Sequence, residues 1–315
     1  MTAPAPIVTL IVPGRDIAAY APAALDSLRA QTEPRWRAIL IDDGSTDDTG
    51  AIFDAAASAD RRFTTIRHEA SRGLGAARNV GLARVDTPYL GFLDADDELL
   101  PDALARLTGI LATSGSDFVA GAYVRSRLQG DGYVAGRVQP WVAAATSPEQ
   151  LGTTLDAHPR AVSNIVAWSK VSRTDFWRDL RFPEGVAYED QVVAQLMYTR
   201  ARAFDVIPDV VVRWRLRAEG TSITQSKAQL PVLRDYLTAL RGGIRVLTDA
   251  GARASVTARL ELILAMDVAP LLDIASSHPD PAYAAEVDAF IAELRALPEF
   301  ADAVPDPAIA AALAW

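Results

Sequence analysis

The chain has 315 residues, half of them hydrophobic and 23% charged, with no cysteine and a net charge of −9. That composition is globular, and the length suits one large domain with a smaller appendage. Without cysteine there are no disulfides, thiolate nucleophiles or zinc–sulfur sites, and a net acidic surface disfavours nucleic acid as a partner.

No basic residue precedes an apolar stretch at the N-terminus, so no signal peptide is read there. No uncharged apolar run reaches the roughly 18–20 residues that span a bilayer. The expected location is the cytoplasm, with a peripheral position at the inner face of the membrane as the weaker variant.

Residues 7–12, IVTLIV, form a continuous apolar run suited to a strand buried on both faces. Leu25 and Leu28 mark a helix over 23–31, and 36–41 is a second strand ending at Asp42. Residues 49–57 read as a helix, with Ser45, Thr46 and Asp47 available to cap it. A third strand covers 63–67, a small-residue helix 74–83, and a fourth strand 88–93, ending at Asp94. A helix over 101–112 has proline in its first turn, and a fifth strand covers 117–123.

The stretch 125–160 is irregular, with a hairpin candidate around 130–138. A helix over 189–199 precedes two short strands, 203–207 and 210–215, around Pro208 and Asp209. Beyond 225 the pattern turns helical, over 230–247, 252–274 and 281–297, with Leu260, Leu264 and Val268 on one apolar face.

Strands and helices alternating at this spacing predict an α/β fold: a mainly parallel sheet with helices on both faces. We divide the chain into a catalytic domain, residues 1–225, and a C-terminal helical region, 226–315. The helical region carries no chemical motif and is a candidate surface for a homo-oligomer. Ligands of such sheets bind beyond the carboxyl ends of the strands. Asp42-Asp43 and Asp94-Ala95-Asp96-Asp97 each follow a strand directly, so both clusters are expected on one rim.

Carboxylates gathered at a strand end are costly to bury without a counter-charge. They invite a hard cation, Mn²⁺ or Mg²⁺, which takes one or two protein carboxylates and completes its shell with water and phosphate oxygens. The same loop also reads as a solvated cap for the next helix, and Asp42-Asp43-Gly44 as a strand end and turn. The segment Ser71-Arg72-Gly73-Leu74-Gly75 supplies glycines that let backbone approach a ligand, and a helix N-terminus that favours anions. Arg78, one turn in, can reach a phosphate or brace the acidic loop.

Val12-Pro13, then IDDGSTDDT, then GLGAARNVGL and YLGFLDADD occur in order. Together they closely resemble the inverting glycosyltransferases of family 2, which have a GT-A (Rossmann-like) fold. The resemblance is strong over residues 7–110 and weaker to about 225. It implies a nucleoside-diphosphate-sugar donor, often a UDP-sugar, with Asp42 or Asp43 on the base. Asp94 and Asp96 stand at the family's Asp-x-Asp positions, for ribose and for metal with diphosphate, and Arg78 matches the arginine of its ARN segment. In place of the family's Val-Tyr-Asn after the first proline, this chain has Gly14-Arg15-Asp16, so Arg15 is placed to stack on a base or pair with phosphate.

Glu189-Asp190, ahead of a helix, looks like the family's acceptor-base motif. Asp190 is the expected base, with Glu189 as runner-up; an acidic first turn favoured by the helix dipole is the plainer reading. Arg215, Arg217 and Ser222 resemble the late segment that closes over the diphosphate in relatives. Trp141 and Trp168 lie on the acceptor side, and the three histidines read as structural or exposed. The expected acceptor is a glycan or glycolipid of the bacterial cell surface. A sugar nucleotidyltransferase, and a non-catalytic carbohydrate-binding or assembly protein on the same fold, are the alternatives.

Overall fold

Six consecutive buried residues build the middle of the sheet: β1 (Val8–Gly14) is covered on both faces from Val8 to Pro13. In the computed structural model, which describes residues 5–217 and 227–303, β1 pairs in parallel with β2 (Trp36–Asp42) and with β4 (Tyr89–Phe92). Beyond β2 lies β3 (Phe63–Arg67), also parallel. These four strands lie where the apolar runs predict them.

The other half of the sheet is mixed. A strand not legible in the sequence, β9 (Lys170–Arg173), lies antiparallel between β4 and β6 (Phe118–Gln129). Parallel pairing needs a long crossover, whereas β9 enters from short 3₁₀ turns at Pro159–Ser163 and Ala167–Ser169. The hairpin expected near 130–138 forms between β6 and β7 (Gly132–Val138). Two further short strands, β5 (Glu98–Leu99) and β8 (Gln150–Thr153), pair antiparallel with β10 (Phe204–Leu216). The sheet among the described residues thus runs β3-β2-β1-β4-β9-β6-β10-β5.

The two strands read around Pro208 are in fact one. β10 runs parallel to β6 through two register shifts, between Ile207 and Val210 and between Val210 and Val212. Exposed Pro208 and Asp209 occupy the bulge, where a residue without an N–H breaks no ladder bond.

The helices α1 (Ala21–Arg29), α2 (Thr49–Ala59), α3 (Leu74–Leu82) and α4 (Ala103–Ser114) fall close to their predicted places. Asp47, one of the three capping candidates, accepts from the amide of Thr49 at 3.0 Å. The chain steps outward from β1 to β3 and then returns to β4. Right-handed crossovers therefore put α1 and α2 on one face and α3 on the other. After the short α5 (Pro140–Thr146) comes α6 (Asp190–Arg200), on which α7 (Leu230–Asp249) packs.

The single helix expected over 252–274 is interrupted. It comprises α8 (Arg253–Ile263), a π-helical turn (Leu264–Val268) and α9 (Ala269–Ser277). Pro270 accounts for the break, because its ring excludes the carbonyl four residues back and it has no N–H to donate. α10 (Pro281–Arg295) follows. The boundary at 225 lies outside the described residues. No helix among those described is long and apolar enough to cross a membrane.

The small residues of α3 serve close packing. A Cβ on Gly81 would lie 2.5 Å from the Ile11 side chain and 3.0 Å from that of Ile41. We predict that Gly81→Val overpacks this contact and costs about 1–3 kcal/mol, read as a lowered urea midpoint with an unchanged slope.

Candidate active site

The backbone at the end of β1 ties the two acidic clusters together. Pro13 accepts from the amide of Ala95 at 3.1 Å, and Gly14 from the amide of Asp43 at 3.0 Å. Ala95 turns inward and is 1% exposed, while Asp94 and Asp96 on either side of it are half-buried. The clusters end strands that flank β1, so roughly 10 Å of sheet separates them.

The Asp42-Asp43 pair is taken up locally. Asp42 accepts from the Ser45 amide at 2.9 Å and pairs with Arg67 at 3.1 Å. Asp43 receives the Ser71 hydroxyl (2.7 Å) and the amides of Arg72 and Gly73 (both 2.9 Å), and contacts His68 Nδ1 at 2.7 Å. Burial raises the Asp43 pKa, but those four contacts outweigh it and hold the group below its ordinary value. Its carboxylate thus shapes the glycine loop. Gly73 has a φ of +89° there, open to glycine and costly for other residues. Arg15 lies exposed at the rim, 3.5 Å from Asp16, whose carboxylate accepts from the Thr46 amide at 2.8 Å.

Arg78 is the centre of the other half. It is 1% exposed, and its guanidinium donates to Asp94 at 2.7 Å and to Glu189 in a short ion pair. Its Cζ stands 5.2 Å from the Phe182 ring centroid. Burial lowers its pKa, but Asp94 and Glu189 outweigh that and hold it above the usual value. α3 also meets the loop ahead of Glu189: Asn79 bonds to the Phe182 amide and carbonyl at 2.9 Å each. A Cβ on Gly75 would sit 2.0 Å from the carbonyl oxygen of Pro183.

Arg215 and Arg217 both reach the acidic loop. Arg215 is buried. Its guanidinium donates to the carbonyls of Asp96 (2.6 Å) and Tyr20 (2.9 Å), and its amide donates to Asp97 (2.8 Å). It therefore shapes the loop. Arg217, nearer the open side, grips one Asp96 oxygen through two nitrogens at 2.8 Å each. Ser222 lies outside the described residues.

Five carboxylates, Asp94, Asp96, Asp97, Glu189 and Asp190, outnumber the three guanidiniums among them. Burial, reinforced by the neighbouring aspartates, raises Asp94 and holds Asp97 well above its ordinary value. Asp190 is pushed up to about 7, first by desolvation and then by Glu189. No group of three or more His, Cys, Asp or Glu side chains converges as a cation cage among the described residues. The surplus of hard oxygen donors nevertheless suits Mn²⁺ or Mg²⁺, which needs few protein ligands when a diphosphate supplies the rest.

Tyr20, whose carbonyl takes Arg215, was not singled out in the sequence; Asp97 stood there only as a member of the acidic cluster, and His68, read as structural or exposed, contacts Asp43. Trp168 is buried against Tyr123, with ring centroids 4.8 Å apart. A groove of about 260 Å³ between α7 and α10, lined by Arg241, Phe290 and Glu293 among others, includes none of the acidic residues.

A half-parallel sheet with acidic loops on its carboxyl rim is the architecture of the GT-A glycosyltransferases. TarS of S. aureus, residues 1–349, matches it with a TM-score of 0.72 at 20% identity, over 95% of this chain and 81% of that one. The family model for glycosyl transferase family 2 matches residues 9–166, and the chain belongs to that family. Glycosyltransferase GlyA of Streptococcus pneumoniae is 27% identical over 73% of this chain and 34% of its own length. Succinoglycan biosynthesis protein ExoU of Rhizobium meliloti is 39% identical over 38% of this chain and 34% of its own. The chain thus spans about a third of the length of these two relatives. The family match ends before Glu189 and Asp190.

Removing the shared cation leaves Glu189 buried without its partner. Arg78→Met is expected to cost about 3–5 kcal/mol in urea unfolding, whereas Arg217→Met, whose side chain keeps 20% of its surface exposed, is expected to cost less.

Proposed function

We propose that the chain moves a sugar, with inversion, from a nucleoside-diphosphate-sugar to a hydroxyl of a glycan or glycolipid acceptor in bacterial cell-surface polysaccharide synthesis. The observation that carries this reading is the bridge from Asp94 through Arg78 to Glu189. It sets the donor-side acidic loop beside the candidate base, Asp190. A UDP-sugar is the preferred donor: TarS has been solved with UDP-GlcNAc. A Pyrobaculum calidifontis mannosyltransferase, with a TM-score of 0.59 at 18% identity, has been solved with GDP-Man and Mn²⁺. Relatives named for teichuronic and teichoic acid synthesis support a surface-glycan acceptor. The proposed location is cytoplasmic, at or near the inner face of the membrane.

In this reading Asp96 and Asp94 would hold Mn²⁺ or Mg²⁺, which would supply charge neutralisation to the departing nucleoside diphosphate. Arg217 meets the same diphosphate from the open side. Pro13, Arg15, Asp42, Asp43 and Gly73 form the wall on which the nucleoside lies. Asp190 directly follows Glu189, and in this reading its carboxylate takes the proton of the acceptor hydroxyl as that oxygen attacks the anomeric carbon and the nucleoside diphosphate departs. Glu189, held by Arg78, fixes the turn. Desolvation serves the base, because a carboxylate with a pKa near 7 is a stronger proton acceptor than an ordinary one.

Two measurements test this. Asp96→Asn should abolish the Mn²⁺-dependent part of UDP-sugar binding in a thermal-shift series. Asp190→Asn should keep donor binding and lose transfer. The base works only when ionised, so the native rate should climb with pH through about 7 and level off above. A rate held constant down to the ordinary carboxylate range would remove Asp190 from this role. Release of pyrophosphate from a sugar phosphate and a nucleoside triphosphate would instead favour a nucleotidyltransferase.

A further inference from the structure

Arg78 holds the Glu189–Asp190 turn from one side; the helices after residue 227 hold it from the other. Tyr188 has a φ of +60°, and the only other non-glycine residue with positive φ among those described is Asp16. Bulky L-residues avoid that conformation, and it persists only where surroundings enforce it. Here the Tyr188 ring packs on Tyr236 of α7, with centroids 4.4 Å apart. The Lys227 ammonium stands 3.7 Å from the Tyr236 centroid and 5.9 Å from that of Tyr188. Asp267, in the π-helical turn, accepts the Tyr236 hydroxyl in a short bond and pairs with Lys227 at 3.5 Å.

The residues on either side are held too. The Ala187 amide donates to Asp235 of α7 at 3.1 Å. On the far side of the turn, buried Arg259 of α8 donates to the Gln191 side chain at 2.6 Å. Ala187, Tyr188 and Gln191 are thus each bound to the C-terminal helices, and Glu189 to Arg78. A π turn opposite this segment is in keeping with the tendency of such turns to lie at functional sites.

We propose that α7, α8 and the π turn are a positioning element for the acceptor base, with Tyr236 and Arg259 as its positioning residues. They keep Tyr188 in its left-handed conformation, which sends Glu189 back to Arg78 and fixes the place of Asp190 beside it. The inference rests on the reading of Asp190 as the base, and it gives the helical region a role in catalysis although that region adds no reacting group.

The test uses the full chain with Mn²⁺, following hydrolysis of UDP-GlcNAc and GDP-mannose, in which water takes the acceptor's place. Affinity for UDP and GDP is measured by calorimetry. Tyr236→Ala, and Arg259→Met combined with Gln191→Leu so that no amide is orphaned, should each lower kcat by about 10²-fold, the scale of a misplaced catalytic group. KM and nucleotide affinity should stay unchanged, and Tyr236→Phe, which keeps the ring, should recover most of the rate. Should Tyr236→Ala fail to fold, Tyr188→Ala removes the same ring contact while leaving the left-handed conformation costly, and the same fall in kcat is expected. Arg241→Gln, on the α10 side of α7, is the control and should change nothing. In the low-kcat variants, hydrogen exchange at 187–191 should speed up even if native hydrolysis is too slow to follow. Loss of nucleotide affinity in parallel with kcat, or native kcat and native exchange in both variants, would overturn the positioning role. If Asp190→Asn itself hydrolyses donor at the native rate, the base assignment fails first; if it is inactive while both variants are native-like, the positioning role alone fails.

Discussion

A guanidinium taken out of water must find its counter-charges inside the protein, and Arg78 finds two that the chain brings from opposite directions. One partner is 16 residues away and the other 111. A charge buried this deeply is costly to strand, so the acidic loop after β4 and the turn before α6 are held to one another through α3. The small residues of α3 belong to the same requirement, because only a helix lying tight on β1 can deliver that side chain to the rim.

The remaining geometry follows from where β1 ends. With a strand on each side of it, and backbone bonds from Pro13 and Gly14 to each acidic loop, the two clusters cannot drift apart without unzipping the centre of the sheet. The clusters then differ in character. Asp43 spends its oxygens on a loop, while Asp94, Asp96 and Asp97, with Glu189 and Asp190 beside them, outnumber their three arginines. That crowding, more than any single carboxylate, is the basis for proposing a cation and a diphosphate at the second cluster.

The first 110 residues were legible because their signals are local: apolar runs of strand length, a helix between each, and aspartates where strands stop. What escaped had no local signal. Lys170–Arg173 is a strand too short for periodicity, set by its neighbours on both sides. Pro208 suggested a break where the sheet absorbs a bulge. Pro270 sits in a helical pattern that spacing alone reads as continuous. In the site, the resemblance pointed to Arg78, Asp94 and Glu189, and the fold brings them together. The saturation of Asp43 and the work of Arg215 on backbone carbonyls depend on partners that no spacing rule connects. The left-handed Tyr188 was equally hidden, since nothing about a tyrosine announces that conformation.

The contact between Gly75 and the Pro183 carbonyl has a mechanical consequence. Because the gap there is narrower than a methyl group, α3 and the loop ahead of Tyr188 lie in direct backbone contact. A side chain at residue 75 would therefore have to push the Pro183 carbonyl away, and with it the loop ahead of Tyr188. An absent side chain thus sets how closely the two segments can lie.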